Sequence, residues 1–150
     1  MTLTIGSPQT TDFENWAELY QGYADFYQVP MNEEIQQQVW HWIHDENQAF
    51  YCLVARNEEG QLLGLMHYRA MPSPLRGKMV GFLDDLYVVP GVRKQGVAKL
   101  LFAELKAQAE QQGWPFVRWI TAPDNHQAQA LYNQLADKTP WLTYQMNCQM

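Results

Sequence analysis

Cysteine is scarce in this chain, with Cys52 and Cys148 the only two in 150 residues. One falls in a strand-like run and the other near the end, so free thiols are expected rather than a disulfide framework or a thiolate metal site. Basic residues are also few: Lys and Arg number 10 against 16 Asp and Glu, a formal net charge of −6. A sequence-independent nucleic-acid binder needs a basic face to neutralise phosphates. The only basic cluster is Arg93-Lys94, so no nucleic-acid partner is expected, and the acidic balance favours a cationic one. No apolar run is long enough to span a bilayer, and Met1 to Pro8 lacks the charged start and apolar core of a secretory leader. A cytoplasmic chain with no membrane partner is expected. Repeats, low-complexity tracts and linkers are missing too, so residues 1–150 read as one domain, and 47% hydrophobic residues suffice for a substantial core.

Three familiar nucleotide and nucleophile loops are absent as well. Gly96 is followed by Val97-Ala98 rather than Lys-Ser/Thr, which excludes a Walker loop. Only Gly91 and Gly96 lie near each other, short of the spaced glycines of a dinucleotide fingerprint. No Gly-x-Ser-x-Gly occurs, which excludes a nucleophile elbow. What is present is the stretch Val80 to Ala98: a strand-like run, a short basic loop, and the start of an amphipathic helix. A loop that enters a helix this way points backbone N–H groups at one spot, and the helix N-terminus adds partial positive charge there, so an anion can dock. Gly96 and Ala98 lack bulk, so a phosphate can approach closely, and Arg93 and Lys94 add charge. The bare pattern of Arg93, Gly96 and Ala98 also fits an ordinary basic turn before a surface helix. The strand before it adds a second signal. Asp84 and Asp85 interrupt a hydrophobic run, and carboxylates in a buried run are costly unless solvated or paired, which points to a cleft. Strand alternation sends adjacent side chains to opposite faces, so one of the two is expected to face a ligand.

The remaining elements follow from periodicity and punctuation. Leu3-Thr4-Ile5 reads as a first strand. Thr11 or Asp12 caps a helix through Trp16, Leu19 and Tyr20, and Asn32 caps a second with Ile35, Val39, Trp42 and Ile43 on one face. Phe50 to Ala55 and Leu62 to Tyr68 are strands joined by the turn Asn57-Glu58-Glu59-Gly60. Met71 to Gly77 reads as a loop before the central strand. A third helix runs from about Gly96 to Gln112, with Leu100, Leu101 and Leu105 inward and Gly113 ending it. Then come a strand at Phe116 to Ile120, a helix after Asn125 and a last strand from Trp141 to Met146. The order predicts an α+β domain with a mixed, mostly antiparallel sheet and about four helices. His41 and His44 stand one turn apart but without a third ligand, so no metal site is expected. His67 and His126 read as ordinary strand and helix residues, although His126 could touch substrate.

With these residues in hand, the chain resembles the GNAT acetyltransferase superfamily over most of its length. The family's cofactor motif, Gln/Arg-x-x-Gly-x-Gly/Ala, is matched by Arg93, Gly96 and Ala98 directly after a strand. A second family feature, an Asn opening a late helix that carries a Tyr, is matched by Asn125 and Tyr132. Tyr23 to Pro30 and Thr139 to Tyr144 resemble the branch acting on polyamines, amino acids or histone tails. Three departures stand out: Ala98 replaces the commoner Gly, Asp84 stands where many members carry Glu, and no Gly-Phe pair follows the late helix.

The resemblance implies acetyl-CoA as co-substrate and no metal. Backbone groups of Leu86, Tyr87 and Val88 would hold the thioester and pantetheine arm. The loop Arg93, Lys94, Gln95, Gly96, Val97 and Ala98 would hold the pyrophosphate, and Asn125 would bind the cofactor arm or order the late helix. Asp84 would take the amine's proton through water, with Asp85 as alternative or ammonium anchor, and Tyr132 would protonate the departing sulfur. Tyr27 or Asp25 would contact the amine. The implied activity is N-acetylation of a small cationic amine. The alternatives are a protein or histone lysine acetyltransferase, or a non-catalytic acyl-CoA sensor; a homodimer is expected by the same resemblance.

Overall fold

The computed structural model describes residues 2–93 and 95–149. Five strands, β1 (Thr4–Gly6), β2 (Phe50–Arg56), β3 (Leu62–Ser73), β4 (Lys78–Val88) and β5 (Val117–Arg118), form one sheet in that order. The first four pair antiparallel, and β5 lies parallel to β4. Among the described residues there are four α-helices: α1 (Phe13–Tyr27), α2 (Glu33–His44), α3 (Val97–Gln112) and α4 (His126–Leu135). This is the α+β, mixed-sheet architecture that the element order predicts. The chain divides into two compact units, one ending at Trp119 with the sheet and α1 to α3, the other starting at Ile120 with α4.

Alternation along the strands gives the sheet two apolar faces. Cys52, Val54 and Leu65 form a buried cluster with Trp16 and Leu19 of α1 and Val39 of α2. The opposite face meets α3, where a methyl built on Gly64 would stand 3.3 Å from Leu101 and Val97. Leu101 and Leu105 point inward as expected, but Leu100 is 44% exposed. Successive helical residues sit about 100° apart, so Leu100 and Leu101 cannot share one narrow seam.

Local chemistry sets most boundaries. Asn32 Oδ1 accepts the Ile35 N–H at 2.8 Å and opens α2. Asn57 Oδ1 accepts from Glu59 and Gln61 and closes the β2–β3 turn. Gly113, at φ +80°, ends α3. β3 continues to Ser73, into the expected loop, because it stays paired with β4 as far as Lys78, while its pairing with β2 stops at Phe50 opposite Arg69. Beyond that point Pro72 has an open edge on that side and breaks no ladder. β5 is shorter than expected. The last strand, Trp141 to Met146, is not formed, and Trp141, Leu142, Tyr144 and Met146 are exposed. A strand needs a hydrogen-bonded neighbour, and the unit that holds this segment contains no other strand among its described residues.

Asp12 occupies the capping position of α1 without capping it. Its carboxylate instead meets the Arg56 guanidinium of β2 through two hydrogen bonds and takes the Gln9 N–H at 2.7 Å. Asp12 is buried, and the bond from Arg56 holds its carboxyl below the ordinary 3.8, against the opposing effect of burial. Asp12→Ala leaves a half-buried guanidinium without its counter-charge and is expected to cost about 3 kcal/mol at neutral pH. A depressed carboxyl adds stability that is present above its unfolded value and is lost as pH falls through the folded one. Urea melts should therefore separate wild type from variant at pH 7 and bring them together well below pH 3.8; a gap that stays constant would contradict this account.

Candidate active site

The site grows from an irregularity in β4. His67 of β3 pairs with Asp85 and Tyr68 pairs with Leu83, so Asp84 is an extra residue opposite a single step of β3. Such a β-bulge breaks alternation and re-aims a side chain. Asp84 turns to the face that Asp85 already occupies. Arg69, on that same face, places Nε 3.0 Å from Asp84 Oδ2 and Nη2 2.5 Å from Oδ1. His67 Nδ1 lies 2.9 Å from Asp85 Oδ2. The expectation that only one carboxylate would face a ligand is thus corrected: both line a cavity of about 490 Å³, with Tyr20 of α1, Val39 and Trp42 of α2, and Phe50 of β2 among its walls.

The environments of the two carboxyls push them apart. Burial raises Asp84 above its ordinary 3.8; the Arg69 fork offsets this only in part, and the Asp85 charge adds to it. Burial also raises Asp85, but hydrogen bonds from His67, Tyr23 and Tyr20 oppose it and hold this carboxyl below the ordinary value. Tyr20 donates to Asp85 Oδ2 at 3.0 Å. Burial, reinforced by the charge of Asp85, pushes the Tyr20 and Tyr23 phenols above their ordinary range, so both stay protonated donors.

On α1 the residue lining the cavity is Tyr20, about two turns before the expected Tyr27. Tyr27 is exposed, and Asp25 accepts from Gln21. Sequence reasoning passed over Trp16, His67 and Arg69 as site residues. Their only early signal is the polar alternation of His67 and Arg69 on β3, whose meaning depends on register.

Beyond the bulge, β4 parts from β5, which pairs only with Gly81 and Phe82. Val89 N–H donates to Leu63 C=O at 2.9 Å. By alternation the backbone groups of Tyr87 also face β3, and those of Leu86 and Val88 face away from it. The Val88 carbonyl accepts from Arg93 Nε at 3.0 Å. The Tyr87 side chain packs under α1, where a methyl on Gly22 would come within 2.7 Å of its hydroxyl; only glycine allows that approach.

The loop that follows ends at Gly96, with φ +83°. The first backbone bond of α3 runs from Leu100 N–H to Gly96 C=O at 3.1 Å, so the N–H groups of Val97 and Ala98 have no acceptor within the helix. Among the described residues, its chain neighbours apart, nothing stands within 4 Å of the place a Gly96 Cβ would take. Gln95 and Gly96 thus lead into an open helix N-terminus able to receive an anion. The Arg93 guanidinium stacks 5.2 Å from the Phe26 ring and 5.6 Å from the Tyr87 ring. Lys94 lies outside the described residues.

In the second unit Asn125 Oδ1 accepts the Ala128 N–H at 3.3 Å and opens α4. Tyr132 lies half-buried on that helix. On α2, His44 Nδ1 lies 2.9 Å from the Trp40 carbonyl and His41 lies 3.8 Å from Asp45. No three His, Cys, Asp or Glu side chains among the described residues come together as metal ligands. Cys52 and Cys148 are free thiols, and no described helix is long and apolar enough to cross a membrane.

The chain is 28% identical over 146 residues to the D-amino-acid N-acetyltransferase HPA3 of Saccharomyces cerevisiae, covering 97% of this chain and 91% of that protein. Its fold matches the ribosomal-protein-alanine N-acetyltransferase of Brucella melitensis biovar Abortus 2308 with TM-score 0.83 at 26% identity, over 97% and 99% of the two chains. The aminoglycoside-modifying AAC(6')-Iy, solved with a bisubstrate analogue, shares the fold at TM-score 0.83 and 19% identity, over 99% and 100% of the two chains. The profile of the Acetyltransferase (GNAT) family matches residues 16–136 and so spans both units; the chain belongs to that family and is an N-acetyltransferase.

Proposed function

We propose that this enzyme moves the acetyl group of acetyl-CoA to the primary amine of a small cationic molecule with an apolar body. The observation that carries this is the bulge, which puts Asp84 and Asp85 into one cavity walled by Trp42, Phe50 and Val39. An ammonium is attracted to the carboxylates, and an apolar body displaces water from the rings. With Arg69 counted, the lining keeps one net negative charge. The names of two relatives, which specify D-amino acids and a ribosomal-protein alanine, agree with an amine acceptor.

The residues present suit the donor. The open space at Gly96 and the N–H groups of Val97 and Ala98, which have no acceptor within α3, match a pyrophosphate, and the outward N–H groups of Leu86 and Val88 match a pantetheine amide and a thioester carbonyl. Acetyl-CoA supplies the activated acyl carbon. Arg93, stacked on Phe26 and Tyr87, stiffens the loop base. Asp85, held charged, anchors the ammonium. Asp84, whose proton affinity is raised, takes a proton from it through water; opposite shifts in two neighbouring carboxyls divide anchor from base. The amine nitrogen then bonds to the acyl carbon and gives up its second proton to water, the carbon–sulfur bond breaks, and the thiolate takes a proton from Tyr132, which water restores. That last role comes from the family resemblance.

Thiol release from acetyl-CoA should be measured against apolar amino acids, aromatic monoamines, polyamines and lysine peptides. Turnover is expected with small amines that carry an apolar body. Turnover with peptides alone would replace the acceptor class. A rise in Tm with acetyl-CoA and no turnover would favour the sensor reading. Gly96→Val places a β-branched residue at positive φ, costing about 1–2 kcal/mol, and fills the phosphate space. The variant should fold yet lose the acetyl-CoA shift in Tm; a full shift would remove the loop from cofactor binding.

A further inference from the structure

Asp85 ends a line of hydrogen bonds that begins in the core. Trp16 is fully buried, and its Nε1 lies 3.1 Å from Nε2 of His67, also fully buried. An indole N–H only donates, so His67 Nε2 accepts and the ring proton sits on Nδ1. Nδ1 lies 2.9 Å from Asp85 Oδ2, the oxygen that also receives the Tyr20 hydroxyl at 3.0 Å. The opposite tautomer would set N–H against N–H at Trp16 and a lone pair against a carboxylate at Asp85. Both ends of the ring therefore enforce one state. Tyr20, Phe50 and Trp16 pack round the imidazole at centroid distances of 4.8, 5.5 and 5.7 Å, which prevents it from turning over.

A polar array sunk this deep adds little stability over an apolar filling of the same shape. It differs from core packing in that its last member opens into the acceptor cavity. We propose that Trp16 and His67 are positioning residues for the acceptor amine: Trp16 sets the His67 tautomer, and His67 with Tyr20 holds Asp85 as a fixed carboxylate whose remaining lone pairs receive the ammonium. This rests on the reading of the cavity as the amine site. Neither residue touches the reacting atoms, so the effect falls on amine binding and orientation rather than on the acetyl donor.

The test joins spectroscopy to kinetics. Long-range ¹H–¹⁵N NMR of wild type should show His67 in the Nδ1–H form, and Trp16→Phe should give a mixture of tautomers. The KM for the amine should rise roughly tenfold in Trp16→Phe and His67→Leu, the loss expected for one hydrogen bond to a charged group. Acetyl-CoA affinity should stay unchanged, with kcat altered less than KM. His67→Asn, whose amide can donate to Asp85, should recover most of the loss. A role confined to core packing predicts that Asn and Leu behave alike, and that outcome overturns the proposal, as does an Nε2–H wild type. Should Trp16→Phe fail to fold, the two His67 variants decide, with Tyr20→Phe expected to raise KM in the same way. Asp85→Asn separates the two levels. If it raises KM and His67→Leu does not, only the positioning role falls; if Asp85→Asn leaves KM unchanged, the amine site itself is elsewhere and both readings fall.

Discussion

Asp84→Asn is expected to lower kcat roughly a hundredfold near neutral pH, at the lower end of what loss of a general base costs because the proton travels through water. Asn keeps the size of Asp and one acceptor for Arg69. The lost ion pair is partly exposed, so stability should change by no more than about 1 kcal/mol. The pH profile carries the diagnostic. Burial, only partly offset by Arg69, raises the Asp84 carboxyl above 3.8. The base form is present above that raised value, and wild-type turnover should fall as pH drops through it. The variant has no such limb. Its deficit should also shrink toward the amine's own pKa of about 10, where the acceptor arrives neutral and needs no base. Matching profiles for wild type and variant at every pH would take Asp84 out of the mechanism and pass the role to Asp85 or to a water chain.

The second large effect is expected at Tyr132. Phe keeps the ring and removes the proton that the departing thiolate needs. Turnover should fall by roughly ten- to a thousandfold, around or below the usual range for a general acid. The loss should appear in kcat, since the proton is required only as the carbon–sulfur bond breaks. Stability and acetyl-CoA affinity should hold, which calorimetry and a Tm shift can check. Wild-type turnover in Tyr132→Phe would leave the residue as packing on α4 and make water the proton donor.

Elements with strong local signals were legible in advance. Asn32, Asn57 and Gly113 each act through hydrogen bonds or φ values spanning a few residues, so their neighbours in the chain suffice to specify them. The same holds for the start of α3 at Val97, which follows directly on Gly96 at φ +83°. The local reading went wrong where a long-range partner decides. Trp141 to Met146 carries a strand-like pattern and forms no strand, since pattern alone supplies no neighbour for its N–H and C=O groups.

The active centre divides along the same line. The order of helix-like and strand-like segments in the sequence by itself determined the fold class, and the match of Arg93, Gly96, Ala98, Asn125 and Tyr132 to the family's motifs pointed to acetyl transfer. That both carboxylates share one cavity was decided by the tertiary structure: the bulge exists only in the register of β4 against β3, where His67 meets Asp85 and Tyr68 meets Leu83. Which carboxyl is held low and which is raised was decided there too. Arg69 lies 15 residues from Asp84, His67 lies 18 from Asp85, and Tyr20 lies 65 from Asp85. A carboxyl's charge state answers to burial and to donors within hydrogen-bond reach, and folding alone brings these groups to Asp84 and Asp85.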